Sequence, residues 1–326
     1  MATVLGVLVG FGMFGAMMTI PLYLQLVNGA SPTVSGFLML PMILGLMISS
    51  IVSGQLIART GQYAIFPKLG TGFMAAGFFW LTFLTADKPV IWIMIGMFMI
   101  GLGLGQLMQT LTIASQNSVG PRDIGVATSS STFFRQIGGT LGVAVLFSVL
   151  FTRVGDTIAA AFSNKALLTD GLDAALDPAV ANDPANAQVM DSVWSKVVTP
   201  ITEQLPGGID LSDATVRAGV VDSVVPTIQE QLNSGAGGGS LGTALDGDTS
   251  FLNGADPRLT APFLHGFSDA TVTVYWVALG VVLVAFVLSF FLKAAPLRAK
   301  SALQENADND AAEAAQLAAS AGATKD

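Results

Sequence analysis

Long apolar runs separated by short polar breaks set the pattern of this chain. Six stretches, Ala2 to Val27, Thr33 to Ile57, Phe66 to Thr85, Val90 to Ile113, Ile124 to Phe151 and Thr271 to Leu292, are close to continuous in aliphatic, aromatic and glycine residues. A hydrocarbon core about 30 Å thick is crossed by about 20 such residues in a helix rising about 1.5 Å each. The pattern predicts an all-α membrane protein with six transmembrane helices. Met1 is followed at once by apolar residues, with no basic leader and no small-residue cleavage site, so the first run reads as a span and not as a signal peptide. The expected organisation is a five-span bundle over residues 1–152, an acidic Gly/Pro/Ala-rich loop with short helices over 153–268, a sixth span over 269–293 and an irregular tail over 294–326.

Composition narrows the function classes. Hydrophobic residues make up 52% of the chain and charged ones 11%, and the formal net charge is −8. The acids lie largely in the long loop and the tail, which speaks against a nucleic-acid partner and says little about the membrane body. There is no cysteine, hence no disulfide framework, thiolate metal site or thiol nucleophile. The single histidine, His265, makes neither a metal site nor a triad and reads as an interfacial surface residue. No zinc-protease pair, phosphate loop or Ser/His/Asp set can be assembled, so neither an enzyme nor a bound cofactor or metal is expected.

The basic residues orient the chain. Cytoplasmic loops are enriched in Lys and Arg, and Arg59, Lys68, Arg122, Lys293, Arg298 and Lys300 all fall on one side if the spans alternate. The other side has Lys88, and Arg153 is a minority vote. Both termini are therefore expected in the cytoplasm of a cell-membrane protein, with the Arg153 to Ser268 loop outside. Within that loop, Val197 to Leu205 is echoed by Val224 to Leu232, each copy offering a short amphipathic helix begun at a proline, Pro200 and Pro226. A packed hairpin and a disordered linker both fit, and a Gly-Ser tract follows at Ser234 to Gly242.

Several span residues stand out chemically. Arg135 is the only formal charge deep in a span and costs at least about 2.5 kcal/mol there, so it needs an interior or aqueous setting and a partner. Cavity lining, for which Gln136 beside it is a further candidate, and a structural role, bonding helix carbonyls or a neighbouring glutamine, are both open. Gln106, Gln109 and Gln116 fall near one helix face at about 100° per residue, as a cavity wall or as helix-to-helix glue. Met13, Phe14, Met17 and Met18 offer a soft pocket for lipophilic molecules, or packing. Tyr23 and Gln25 are placed for polar contact near the outer mouth. Gly101, Gly103 and Gly105 read as close-packing positions, and so do Gly138, Gly139 and Gly142, with Gly138 and Gly142 in a Gly-x-x-x-Gly spacing.

Between the second and third runs lies Gly54-Gln55-Leu56-Ile57-Ala58-Arg59-Thr60-Gly61. It resembles the Gly-x-Leu-x-Asp-Arg-x-Gly signature of major facilitator transporters at Gly54, Leu56, Arg59 and Gly61, with Ala58 where the acid usually stands. Pro21-Leu22-Tyr23-Leu24-Gln25, Pro41 and Arg135-Gln136-Ile137-Gly138-Gly139 are similar to the C-terminal half of the fourteen-span drug:proton antiporter branch, as is a long loop before the last span. The resemblance implies a secondary transporter, or the C-terminal half of one, exporting amphipathic organic compounds by alternating access, driven by the proton gradient without a cofactor. The implied partners are the bilayer, small lipophilic substrates, and a missing N-terminal half or a second copy. The competing reading is a membrane-anchored binding module that acts through the loop.

Overall fold

The computed structural model describes residues 1–205, 209–233, 252 and 254–292. Lys293, Arg298, Lys300, the tail and the Ser234 to Gly242 tract lie outside the described residues. Among those described, every regular element is a helix. The long ones are α1 (Ala2–Leu26), α3 (Leu40–Thr60), α4 (Phe66–Leu81), α5 (Val90–Asn117), α6 (Ile124–Ser163) and α12 (Pro257–Ser289). The others are α2 (Pro32–Leu38), α7 (Lys165–Leu176), α8 (Pro178–Ala181), α9 (Ala187–Val189), α10 (Ser195–Gln204) and α11 (Ala214–Asn233).

Six helices stand where six runs were expected, with different bounds. The second run is two helices that together cover Pro32–Thr60, separated at Met39. Pro41 sits in the first turn of α3 and cannot continue the ladder of a preceding helix. Among the described residues, five segments are long and apolar enough to cross a membrane. Helix α4 is shorter than its run, ending at Leu81 after 16 residues, about 24 Å. Conversely, α6 extends to Ser163 and α12 begins at Pro257, so both ends of the expected loop are helix continuous with the neighbouring spans.

Glycine seams bring the bundle together. Helix α5 lies between α3 and α4, while α1, α6 and α12 pack on one another. Gly101 and Gly105 of α5 face α3 at Met42 and Ser49, while Gly103 faces Gly70 and Met74 of α4. From the α3 side, a Cβ at Gly45 would lie 2.6 Å from the Phe98 carbonyl oxygen. Backbones this close gain dispersion contact that bulkier side chains would prevent, which is the main attraction between helices in lipid. Around these seams Leu5, Ile20, Met74, Phe78, Leu104, Leu146, Val274 and Tyr275 form the core.

A second core sits at one end of the bundle. The overhangs of α6 and α12, with α7 to α11, enclose Ile158, Phe162, Leu172, Trp194, Val221, Val225, Leu259 and Phe263. Trp194 is fully buried and its indole N–H donates to the Leu259 carbonyl at 3.0 Å. Gly171 leaves room for the Trp194 ring, and Gly266 lets α12 approach Ile158 of α6. We call this unit the cap. The two echoed segments are helical in it, but Pro200 and Pro226 lie inside α10 and α11 and do not start them. Both helices pack on α7, so the repeat builds two sides of one small core.

Candidate functional site

The Gly54 to Gly61 segment closes α3. Gly61 has φ of 68°, the left-handed helix cap that glycine adopts without a Cβ clash, and its N–H donates to the Ile57 carbonyl. Leu56 and Arg59 are exposed, and Arg59 lies in the last turn, where a cation complements the helix dipole. Gly54 faces Gln109 of α5, whose side-chain nitrogen would be 3.9 Å from a Cβ added there. The segment thus joins a turn to the α3–α5 seam.

The three glutamines of α5 do not share one free face. Gln106 is buried beside Gly70 and donates to the Leu102 carbonyl at 3.2 Å, while its side-chain oxygen is buried without a partner among the described residues. Gln109 is exposed. Gln116 is half-buried and donates to the Thr128 hydroxyl of α6 at 2.9 Å. Three residues turn a helix by about 300°, and ten carry it about 15 Å, enough to pass from one neighbour to the next.

On α1, Met13 is buried while Met17 and Met18 are exposed, at 37% and 51%. Phe14 packs on Gly139 of α6. Tyr23 belongs to the packed core instead of the mouth: it is 1% exposed, and its hydroxyl lies 3.3 Å from both the Thr85 carbonyl and the Ser268 hydroxyl. Burial of the aromatic ring drew it inward and gave it the task of tying α1 to α12 and to the α4–α5 turn. Gln25 donates to the Ser35 hydroxyl of α2 at 3.1 Å. His265 is half-buried at the same end, 3.5 Å from Asp87.

Arg135 lies in the seam between α1 and α6. Gly10 of α1 makes room for it: a Cβ there would lie 3.0 Å from the Arg135 carbonyl carbon and 3.2 Å from its Cγ. One turn on, Gly138 and Gly142 lie against the backbone of Val7 and Phe11. The Arg135 side chain is half-buried and has no hydrogen bond or ion pair among the described residues. Gln136 and Thr140 beside it are exposed on α6. The helix thus presents a guanidinium and an amide on a surface otherwise made of Phe133, Phe134, Ile137 and Leu141.

Two features escaped the sequence reading. At the Arg59 end the described residues leave a recess of about 480 Å³, edged by Thr3, Tyr63, Ser115, Ser118, Ser130 and Ser131. In the cap, Arg217 is almost fully buried, 2.9 Å from Asp173 and 3.2 Å from Asp177, while Arg258 bridges Asp173 and Asp256 at 3.4 and 3.0 Å. The Arg258 guanidinium, hydrogen-bonded to Asp256, holds that carboxyl below its usual range. Charge spacing alone could not have found this network, because its members are up to 85 residues apart.

Comparison with known proteins decides the family. The Major Facilitator Superfamily model matches residues 1–143. A tetracycline resistance determinant of Streptomyces rimosus is 31% identical over 293 residues, 87% of this chain and 69% of that protein. This chain belongs to the major facilitator superfamily. It is accordingly a multi-pass membrane protein of a transporter family. Two further superfamily relatives match more closely over less: the multidrug transporter protein MdtP of Bacillus subtilis is 43% identical over 138 residues, 42% of this chain and 25% of its own length. An uncharacterized MFS-type transporter of Mycobacterium tuberculosis is 43% identical over 135 residues, 41% of this chain and 20% of that protein. The chain thus spans a fifth to a quarter of these two relatives.

Proposed function

We propose that this chain is a half-bundle of a proton-coupled efflux transporter for amphipathic organic compounds, working by alternating access with a companion half or a second copy. The observation that carries the reading is Arg135 with Gln136: a charge and an amide held on a spanning helix, unpaired within the described chain, where a cargo-lining surface needs polar groups and a purely structural helix does not. The names of the Streptomyces and Bacillus relatives support drug export as the class of activity. Helix alternation gathers Arg59, Lys68 and Arg122 at one end, which supports a cytoplasmic placement of that end in the cell membrane, with the cap outside. The proton gradient supplies the energy in this reading, and no cofactor is used.

The test is drug accumulation in cells that express the chain alone or with an N-terminal half from a relative. Paired expression should lower accumulation of lipophilic drugs, and dissipating the proton gradient should restore it. Unchanged accumulation in both settings overturns the reading. One observation favours a binding module instead: the cap has its own core and a buried ionic network. Replacing residues 165–255 by a short linker separates the two, because export should survive the deletion and a cap-borne activity should not.

A further inference from the structure

We infer that Arg135 is the docking point for the acidic head of an amphiphilic anion whose apolar body lies along α1 over Phe14, Met17 and Met18. This deepens the transport reading above by naming a cargo class, and it rests on that reading only for the word cargo.

A guanidinium stays charged at any accessible pH, so a partner must neutralise it within the membrane. No described residue supplies one. In the first 155 residues the only carboxylates are Asp87 and Asp123. Asp123 precedes α6 and lies 12 residues from Arg135, about 18 Å along the axis. Asp156, the next carboxylate along the chain, is 21 residues from Arg135, about 31 Å away in the other direction. Neither reaches it, and no carbonyl of a described residue accepts from it.

The surroundings say what kind of anion fits. Gly10 has no side chain to cover the arginine stem, which therefore lies against α1. Phe14 and Met17 follow Gly10 by four and seven residues, on the same helix face and about 6 and 10 Å further along. Met17 and Met18 are exposed, and thioethers adapt to varied apolar shapes. Gln136, exposed beside Arg135, can donate a further hydrogen bond. A planar guanidinium binds a carboxylate or sulfonate through two parallel hydrogen bonds. An inorganic anion would leave the methionine strip unused, and a lipophilic cation would meet like charge.

The experiment uses the full chain in a non-ionic detergent and two probes with nearly the same aromatic body, 8-anilinonaphthalene-1-sulfonate and the uncharged N-phenyl-1-naphthylamine. Fluorescence titration should show Arg135→Gln weakening the sulfonate at least tenfold and the neutral probe less than twofold. Arg135→Lys should fall between, since it keeps the charge and loses the fork. Met17→Ala should weaken both probes alike. If Arg135→Gln does not fold, the native chain still decides: decanoate should displace the sulfonate probe at much lower concentration than decyltrimethylammonium. Equal displacement by the two, or unchanged sulfonate binding in folded Arg135→Gln, overturns the proposal. No gradient or companion is involved, so head-group selectivity can hold where export fails, and export of neutral drugs can persist where selectivity is absent.

Discussion

Gly61 shows how much one residue can fix. Its φ of 68° lies where a Cβ crowds the carbonyl, so Gly61→Ala should cost about 1–2 kcal/mol and lower the midpoint of thermal unfolding in detergent. Gly138 is constrained by its neighbour and not by its dihedral: a Cβ would stand 2.7 Å from the Val7 Cα. Gly138→Ala should therefore cost about 1–3 kcal/mol by overpacking, read from the same melting curve, whereas Gly36→Ala, in helix α2 with nothing within 4 Å, should stabilise by up to about 1 kcal/mol. Asp256 gives a pH signature. Its folded pKa lies below the unfolded value of about 3.9, so its contribution is complete above that value and fades as the pH falls through the folded pKa. Circular dichroism should show stability level down to about pH 5 and falling below about 4, with the fall reduced in Asp256→Asn. Small residues were legible in the sequence because glycine inside an apolar run has few other uses. The glutamines of α5 were not, since periodicity gives an angle around the helix and cannot say which neighbour stands there.

Among the elements, span number and order were readable from apolar runs, while helix ends were not. Helices α6 and α12 outrun their apolar stretches because their overhangs bury a face on the cap. That face had a signature in the loop: Ile158 and Phe162, Leu168 and Leu172, Val221 and Val225, and Leu259 and Phe263 are all pairs four residues apart. It was masked by the surrounding Asp, Asn, Gly and Pro, which suit a linker equally well. Trp194 is the keystone, touching Phe162 with ring centres 5.5 Å apart. Trp194→Ala should cost about 3–5 kcal/mol and separate cap melting from that of the bundle. Arg217→Ala should cost less, about 1–3 kcal/mol, by leaving half-buried Asp177 without that cation and Asp173 with Arg258. Hydrogen exchange would place both losses in α7 and α11.

For the molecule as a whole, two architectures share two helices. The bundle holds together by backbone contact at glycine seams, and the cap by aromatic burial and ion pairs. Deleting the cap should therefore leave bundle helicity intact in detergent, because no core residue of α1, α3, α4 or α5 belongs to the cap cluster. The reverse does not hold, since the cap takes a wall from each of α6 and α12. These helices have 40 and 33 residues, about 60 and 50 Å, against a hydrocarbon thickness of about 30 Å. Stiff rods of that length work as pointers. A tilt of about 10° at the bilayer centre would swing the far tip of α6 by roughly 8 Å, given a lever of about 45 Å. Under the transport proposal, a pair of spin labels, one on the cap and one on the proposed companion half, would read that swing as a change in distance.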